Sequence, residues 1–151
     1  MTYSSRIRVN PEYLFSLGRA FYNFTYFEWI VVCLIANLST NGFEGVPRGR
    51  PAGDIAAALY KAIYTTKLPL SQGLRSGLLR AHKEYKTSIS RRNKLLHAHP
   101  FTAADGEQQL CGGGFEWPID AVNEAASFFE IAAIQANTIL QTVLEFGRGD
   151  S

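Results

Sequence analysis

The chain has 151 residues, of which 46% are hydrophobic and 19% are charged, which excludes a disordered protein and is enough to bury a core. The net charge of +2 allows binding to a polyanion but does not indicate it, so any basic patch must be local. Two cysteines, Cys33 and Cys111, are too few for a disulfide framework. Together with the lack of a secretory signal pattern, they favour a reducing, cytoplasmic setting.

The first predicted element is a long apolar helix. It begins at Asn10 and Pro11, a capping side chain followed by proline at the first helical position. Apolar residues then recur at helical spacing until Asn41 and Gly42 are expected to stop the helix. The uninterrupted apolar stretch from Trp29 to Ala36 is too short to cross a bilayer of roughly 30 Å. We therefore expect a buried core helix and no membrane span.

Two further helices are predicted in the middle of the chain. A loop rich in glycine and proline follows the first helix, and residues 52–66 then carry apolar side chains on one helical face. The third helix is expected from about Leu70 to His97. It must end before Pro100, because the residue that precedes a proline is pushed out of helical conformation.

The last part of the chain combines a loop with a fourth helix. Residues 101–117 contain the turn dipeptide Asp105–Gly106 and three further glycines, and they form the only stretch that could hold a short hairpin. A final helix is expected to open at Pro118, with apolar residues at helical spacing behind it.

These elements predict a single all-α domain. Three long helices and one short helix, joined by modest loops, favour an antiparallel four-helix bundle with a short loop or hairpin after the third helix. The domain is expected to span residues 11–146. It would lie between a flexible N-terminus, residues 1–10, and a flexible tail, residues 147–151.

The end of the third helix carries a dense polar segment, SISRRNKLLHAHP at residues 88–100. Asn93 and His97 are four residues apart and share a helical face, and the long Arg92 side chain can turn its guanidinium toward the imidazole. An arginine can neutralise a phosphoryl centre, and a histidine can move the proton of an attacking or leaving oxygen. The alternative is an ordinary helix end, where basic residues complement the helix dipole.

The RNKLLH segment, Arg92 to His97, resembles the Arg-x4-6-His motif of HEPN domains, which usually carries a polar residue directly after the arginine. The order of elements is also similar: a long apolar helix, a shorter helix, the motif-bearing helix and a closing helix. The resemblance implies a small all-α protein that commonly pairs so that two motifs face one cleft. Many such domains are metal-independent endoribonucleases that serve as toxins or phage-defence effectors, and others are inactive binding modules.

Carried over to this chain, the resemblance implies a role for each polar residue of the motif. Arg92 would hold the scissile phosphate, Asn93 would position the phosphate or the histidine, and His97 would transfer protons. The RNA 2′-hydroxyl would attack and leave a 2′,3′-cyclic phosphate, so DNA would be spared. The resemblance implies no cofactor, a homodimer, and a possible antitoxin partner of the nucleotidyltransferase type.

Glu28 is a fourth catalytic candidate. An acid in the middle of a very apolar helix is costly unless it is paired. HEPN domains often carry an acid on the first helix near the motif, which implies that Glu28 orients Arg92 or His97. The alternative is a salt bridge that only fixes the packing.

Five basic residues are candidates for RNA contacts, with ordinary surface charge as the alternative: Arg91, Lys94, His99, Arg48 and Arg50. A metal site built from His97, His99 and Cys111 is not expected, because the spacing matches no zinc pattern and a fourth ligand is missing. The alternative function is a catalytically inactive module that binds RNA, a nucleotide or a protein partner.

Overall fold

The computed structural model describes residues 6–148. Within that range the chain is mostly helical, with four α-helices and one small sheet. In chain order the elements are α1 (Pro11–Leu38), a 3-10 turn (Gly42–Gly45), α2 (Ala52–Thr65), α3 (Gln72–Leu96), β1 (His99–Thr102), β2 (Gln108–Gly112), β3 (Phe115–Trp117) and α4 (Ile119–Arg148). The four predicted helices are confirmed.

Capping side chains fix where two of the helices begin. The Asn10 side chain accepts a hydrogen bond from the Glu12 amide at 2.8 Å, as the sequence predicts. Ser71 caps α3 by accepting from the Leu74 amide at 3.1 Å, so α3 starts just after the expected Leu70. Local side-chain chemistry therefore sets these boundaries.

The all-α prediction is incomplete, because residues 99–117 form a three-stranded antiparallel sheet in the order β1-β2-β3. His99 pairs with Cys111 across the first ladder, and Leu110 pairs with Trp117 across the second. The sequence predicted at most one short hairpin, within residues 101–117. The sheet extends further because β1 begins at His99 and includes Pro100, and an edge strand tolerates a proline.

Two glycine turns make this sheet possible. Gly106 has a φ of +86°, and the Asp105 side chain accepts from the Glu107 amide at 3.0 Å, which confirms the predicted Asp105–Gly106 turn. Gly113 and Gly114 have φ values of +61° and +78°. Consecutive positive φ values suit a tight turn between antiparallel strands, so β2 reverses directly into β3.

α1 and α4 run in the same direction. The Tyr13 hydroxyl donates to the Trp117 carbonyl at 2.6 Å, just before α4 begins. Further along, the Asn23 side chain donates to the Ala126 carbonyl at 3.0 Å. The residue numbers at the points of contact therefore increase together along α1 and α4, as in two parallel helices.

α3 runs opposite to its three neighbours. The contacts that show this reversed order are Phe24–Arg92 and Glu28–Tyr85 with α1, Tyr60–His82 and Tyr64–Arg75 with α2, and Phe128–Arg91 and Ile139–Gly77 with α4. α1, α2 and α4 therefore share one direction. The predicted antiparallel bundle is correct for α3 and wrong for the other three helices.

Connection lengths explain this arrangement. α2 has 14 residues and is about 21 Å long, and the extended chain between residues 38 and 52 is long enough to return over that distance before α2 begins. The short connection over residues 66–71 forces α3 to reverse against α2. The sheet between α3 and α4 reverses the chain once more, at the end of the molecule where α1 begins.

The core lies where α1, α3 and α4 meet, and α1 supplies the fully buried Phe27, Val31 and Leu34. By length and composition alone α1 could cross a bilayer, but half of its most apolar 18-residue window is buried inside the fold. Core helices of soluble proteins show the same property. The core-helix interpretation fits this packing, and the absence of a membrane stays a prediction.

The predicted flexible ends fall partly outside the described residues, which exclude 1–5 and 149–151. At the other boundary α4 continues to Arg148, and the flexibility expected for residues 147–151 stays a prediction. Residues 11–148 thus carry all the regular secondary structure of the described chain.

Candidate functional site

The Arg92 side chain lies in the contact between α3 and α1. Its guanidinium carbon is 4.6 Å from the centroid of the Phe24 ring, a cation–π distance. Nε and Nη2 of Arg92 donate to the Asn93 Oδ1 at 3.3 and 2.9 Å. A guanidinium carries more N–H donors than these two, so the others can bind an anion. The ring and the amide hold the guanidinium in place.

Glu28 binds a tyrosine rather than the motif. The hydroxyl of the fully buried Tyr85 donates to the Glu28 Oε2 at 2.6 Å. Within residues 6–148 no salt bridge joins Glu28 to Arg92 or His97. The hydrogen-bond partner of Glu28 is therefore Tyr85, and its role in orienting Arg92 or His97 stays a prediction.

Tyr85 links Glu28 to Arg92 electrostatically. Burial raises the pKa of Tyr85 well above its usual range, the carboxylate of Glu28 raises it further, and the nearby charge of Arg92 lowers it. The hydroxyl is therefore protonated at any ordinary pH and acts as a fixed donor to Glu28. A carboxylate and a guanidinium thus act with opposite sign on one buried phenol.

Asn93 and His97 are exposed at the C-terminal end of α3. His97 is the C-cap residue, and its amide donates to the Asn93 carbonyl at 3.0 Å. Within the described chain no hydrogen bond joins the imidazole to Arg92, whose guanidinium points to Phe24 and Asn93. The structure therefore brings Arg92 and Asn93 together and leaves His97 separate at the helix end.

Arg91 and Lys94 line a cleft of about 340 Å³ on the other side of α3. Phe115 and Trp117 of β3 and the first turns of α4 complete its walls. The Arg91 guanidinium carbon lies 4.5 Å from the centroid of the Phe128 ring. Both predicted RNA-binding cations thus lie near the exposed Phe115 ring, in a cleft that Glu124 also lines.

His99 is on the edge strand β1, and its Nε2 lies 3.6 Å from the Cys111 Sγ across the sheet. Among residues 6–148 no group of three or more histidine, cysteine, aspartate or glutamate side chains is placed to hold a metal ion. His99 is exposed and lies beyond the end of α3, so it borders the motif from the side of the sheet.

Arg48 and Arg50 belong to the loop before α2, and both are exposed. The Arg48 guanidinium lies 5.6 Å from the Phe43 ring centroid. Nε of Arg50 pairs with the Asp54 Oδ2 at 3.0 Å, which neutralises part of its charge. The two arginines are thus available at the surface, and Arg50 is the more constrained of the two.

A groove between α2 and α3, with a volume of about 500 Å³, was missed by the sequence reasoning. Its floor is built by small residues of α2, and its walls by Tyr60 on α2 and by His82 and Lys86 on α3. Burial, and then the charge of Lys86, lowers the pKa of His82. The available signal was the i, i+4 spacing of His82 and Lys86, which puts both side chains on one face of α3.

Aromatic side chains also form an exposed stripe along α1. Phe15, Tyr22, Tyr26 and Trp29 are all at least 44% exposed. At 100° per residue they lie on the side of α1 opposite to Phe24, which faces α3. This stripe therefore points away from the motif.

Comparison of the chain with models of known protein families, with curated proteins and with solved structures finds no match. The site must therefore be interpreted from its own chemistry.

Proposed function

We propose that the protein is a metal-independent endoribonuclease of the HEPN type, a toxin or phage-defence enzyme of the cytoplasm. It would cleave RNA through attack of the 2′-hydroxyl and leave a 2′,3′-cyclic phosphate. The observation that carries the proposal is the position of the RNKLLH segment: Asn93 and His97 are exposed at the end of α3, and the Arg92 guanidinium in the same segment is held by Phe24 and Asn93.

Arg92 binds the scissile phosphate in this proposal. Its position on Phe24 and its bonds to Asn93 reduce the side-chain entropy that would be lost on binding, which favours a preorganised anion contact. Asn93 acts by holding the guanidinium. Glu28 acts through Tyr85 as a positioning residue, because its carboxylate fixes the phenol that packs against Phe24.

His97 carries the proton of the attacking or leaving oxygen. One imidazole cannot serve as base and acid in the same step, so a homodimer supplies a second one. The stripe on α1 faces away from the motif, so a dimer with two motifs in one cleft requires a different surface. Leu96 and Phe115, which are 54% and 45% exposed, provide apolar surface at the motif end of the molecule.

Several contacts of the proposed enzyme would be with partners. Single-stranded RNA would meet Arg91 and Lys94 in the α3–α4 cleft and His99 on the edge strand. An antitoxin of the nucleotidyltransferase type would restrain the activity. It would act most simply by covering the exposed Asn93 and His97.

The alternative is a catalytically inactive module of the same type that binds RNA, a nucleotide or a protein. One observation favours it: Arg92 is engaged by Phe24 and Asn93, and no hydrogen bond joins it to His97 in the described chain. A phosphate anchor needs only Arg92, whereas cleavage needs His97 near the same phosphate.

The test is RNA cleavage in EDTA by the unmodified protein and by His97→Ala, with analysis of the 3′ ends. We expect cyclic-phosphate ends from the unmodified protein, and a loss of roughly 10²- to 10⁴-fold in the variant, as for removal of a general acid or base. His99→Ala is the matched control and should weaken RNA binding without changing the product ends. A folded dimer that cleaves no RNA would refute the enzyme and leave the binding module.

A further inference from the structure

We propose that the groove between α2 and α3 binds one unstacked base of a single-stranded RNA, and that this strand continues to His97. The choice of RNA as the ligand rests on the proposed ribonuclease function. The groove residues Tyr60, His82 and Lys86 have no part in that function as described above.

The shape of the groove suits a flat ring. Gly53, Ala56 and Ala57 form a floor without bulky side chains, which leaves about 500 Å³ open between the two helices. That volume falls within the range of small-molecule sites. A nucleobase therefore fits over a floor of small residues without displacing any large side chain.

Tyr60 provides the stacking wall. It is 48% exposed, and its ring contacts the tilted rings of Tyr64, at a centroid distance of 4.9 Å, and of His82, at 5.3 Å. A tyrosine fixed in this way presents a preformed face at low entropic cost. Unpaired RNA bases are commonly recognised by stacking on such aromatic side chains.

The charge at the groove favours an anionic ligand. Lys86 lines the wall opposite α2, and Arg50 lies close in sequence to Gly53, at the end of the groove nearest the motif. The acid beside it, Asp54, is paired with Arg50 at 3.0 Å. Among residues 6–148 no salt bridge engages Lys86, so its charge is placed to meet the phosphate of a nucleotide whose base enters the groove.

The groove also points toward the motif. His82, Lys86, Ile89 and Asn93 recur at helical spacing on one face of α3, and His97 follows four residues later. At 1.5 Å per residue, Lys86 lies about 16 Å along the axis from His97. An RNA strand of a few nucleotides spans that length. The groove would thus select an unpaired base upstream or downstream of the cleaved bond.

The experiment measures binding in the His97→Ala background, so that no cleavage intervenes. The probes are a fluorescent single-stranded RNA, the same sequence as a duplex, and a free mononucleotide. We expect Tyr60→Ala to weaken single-strand binding by roughly 5- to 100-fold, as for loss of one stacked base, and Tyr60→Phe to restore it. Lys86→Gln should reduce the slope of log affinity against log salt concentration by about one, as for the loss of one phosphate contact.

Matched controls lie on other faces of the molecule. The control for Tyr60→Ala is Tyr22→Ala, at a side chain that is 73% exposed on α1. The control for Lys86→Gln is Lys83→Gln, at another exposed lysine of α3. Neither should change the affinity. Equal affinity of Tyr60→Ala and its parent for single-stranded RNA would overturn the proposal. So would tight, Tyr60-dependent binding of the mononucleotide or of the duplex, because either result would assign the groove to another ligand.

The two proposals fail separately. Tyr60-dependent RNA binding by an unmodified protein that cleaves nothing would support the groove and refute the nuclease. Cleavage that depends on His97 and ignores Tyr60 would support the nuclease and refute the groove.

Discussion

Removing the Tyr85 hydroxyl tests what Glu28 does. Tyr85→Phe keeps the buried ring, so no cavity forms, and it deletes only the donor that meets the Glu28 carboxylate at 2.6 Å. A hydrogen bond to a charged group contributes about 1.5–3 kcal/mol to the free energy of unfolding. Water can reach the partly exposed carboxylate and replace some of this bond, so we expect a loss of about 1.5 kcal/mol.

The assay is urea unfolding of four proteins: the parent, Tyr85→Phe, Glu28→Gln and the double variant. The expected coupling between the two sites is about 1 kcal/mol. Tyr85→Phe removes the donor of the bond, whereas the amide oxygen of Glu28→Gln still accepts but without the negative charge that strengthens the bond. For a chain of this size, the loss in Tyr85→Phe corresponds to a fall in Tm of about 3–6 °C. Tyr26→Phe, on the exposed stripe of α1, is the control and should leave the stability unchanged.

Two outcomes would refute the reasoning. A coupling energy below about 0.3 kcal/mol would mean that the Tyr85–Glu28 bond does not stabilise the fold. In the RNA assays Glu28→Gln should lose no more activity than Tyr85→Phe, because Glu28 acts through Tyr85. A Glu28→Gln variant that is inactive beside an active Tyr85→Phe variant would show that Glu28 acts on the RNA or the motif directly.

Two further predictions concern stability. Gly18→Ala should raise the free energy of unfolding by about 1 kcal/mol, since Gly18 lies inside α1 and an added Cβ meets nothing within 4 Å. Gly106→Ala, its control at a φ of +86°, should be destabilising in the same urea titration. Because the pKa of His82 is lowered from 6.5 in the fold, the unfolded chain takes up its proton first, and stability should fall as the pH drops below 6.5. Thermal melts at pH 7.5 and 5.5 should show a smaller difference for His82→Gln, and an unchanged difference would contradict the assignment.

Local signals in the sequence were sufficient to predict the helices. Asn10 with Pro11 and the 3.6-residue apolar period are short-range properties, and they placed α1 without reference to the rest of the fold. The Asp105–Gly106 turn was readable for the same reason, because its chemistry lies within three residues. The extent of the sheet could not be predicted from the sequence, since pairing of His99 with Cys111 depends on a partner strand rather than on local propensity.

The candidate site likewise has features that the sequence predicted and features that only the packing of the helices decided. The sequence by itself determined that Arg92, Asn93 and His97 lie near one helix end, because helical spacing is fixed by the backbone. Only the tertiary structure decided that Arg92 rests on Phe24, because that ring comes from another helix.

Glu28 and Tyr60 show why packing had to decide the rest. The partner of Glu28 proved to be Tyr85, which is 57 residues away in the chain and adjacent only because α1 and α3 run in opposite directions. Tyr60 became the wall of a groove for the same reason, through its contact with His82 on α3. Spacing along one helix fixes which residues share a face. What that face meets depends on the directions of the other helices, which the lengths of the connecting loops set.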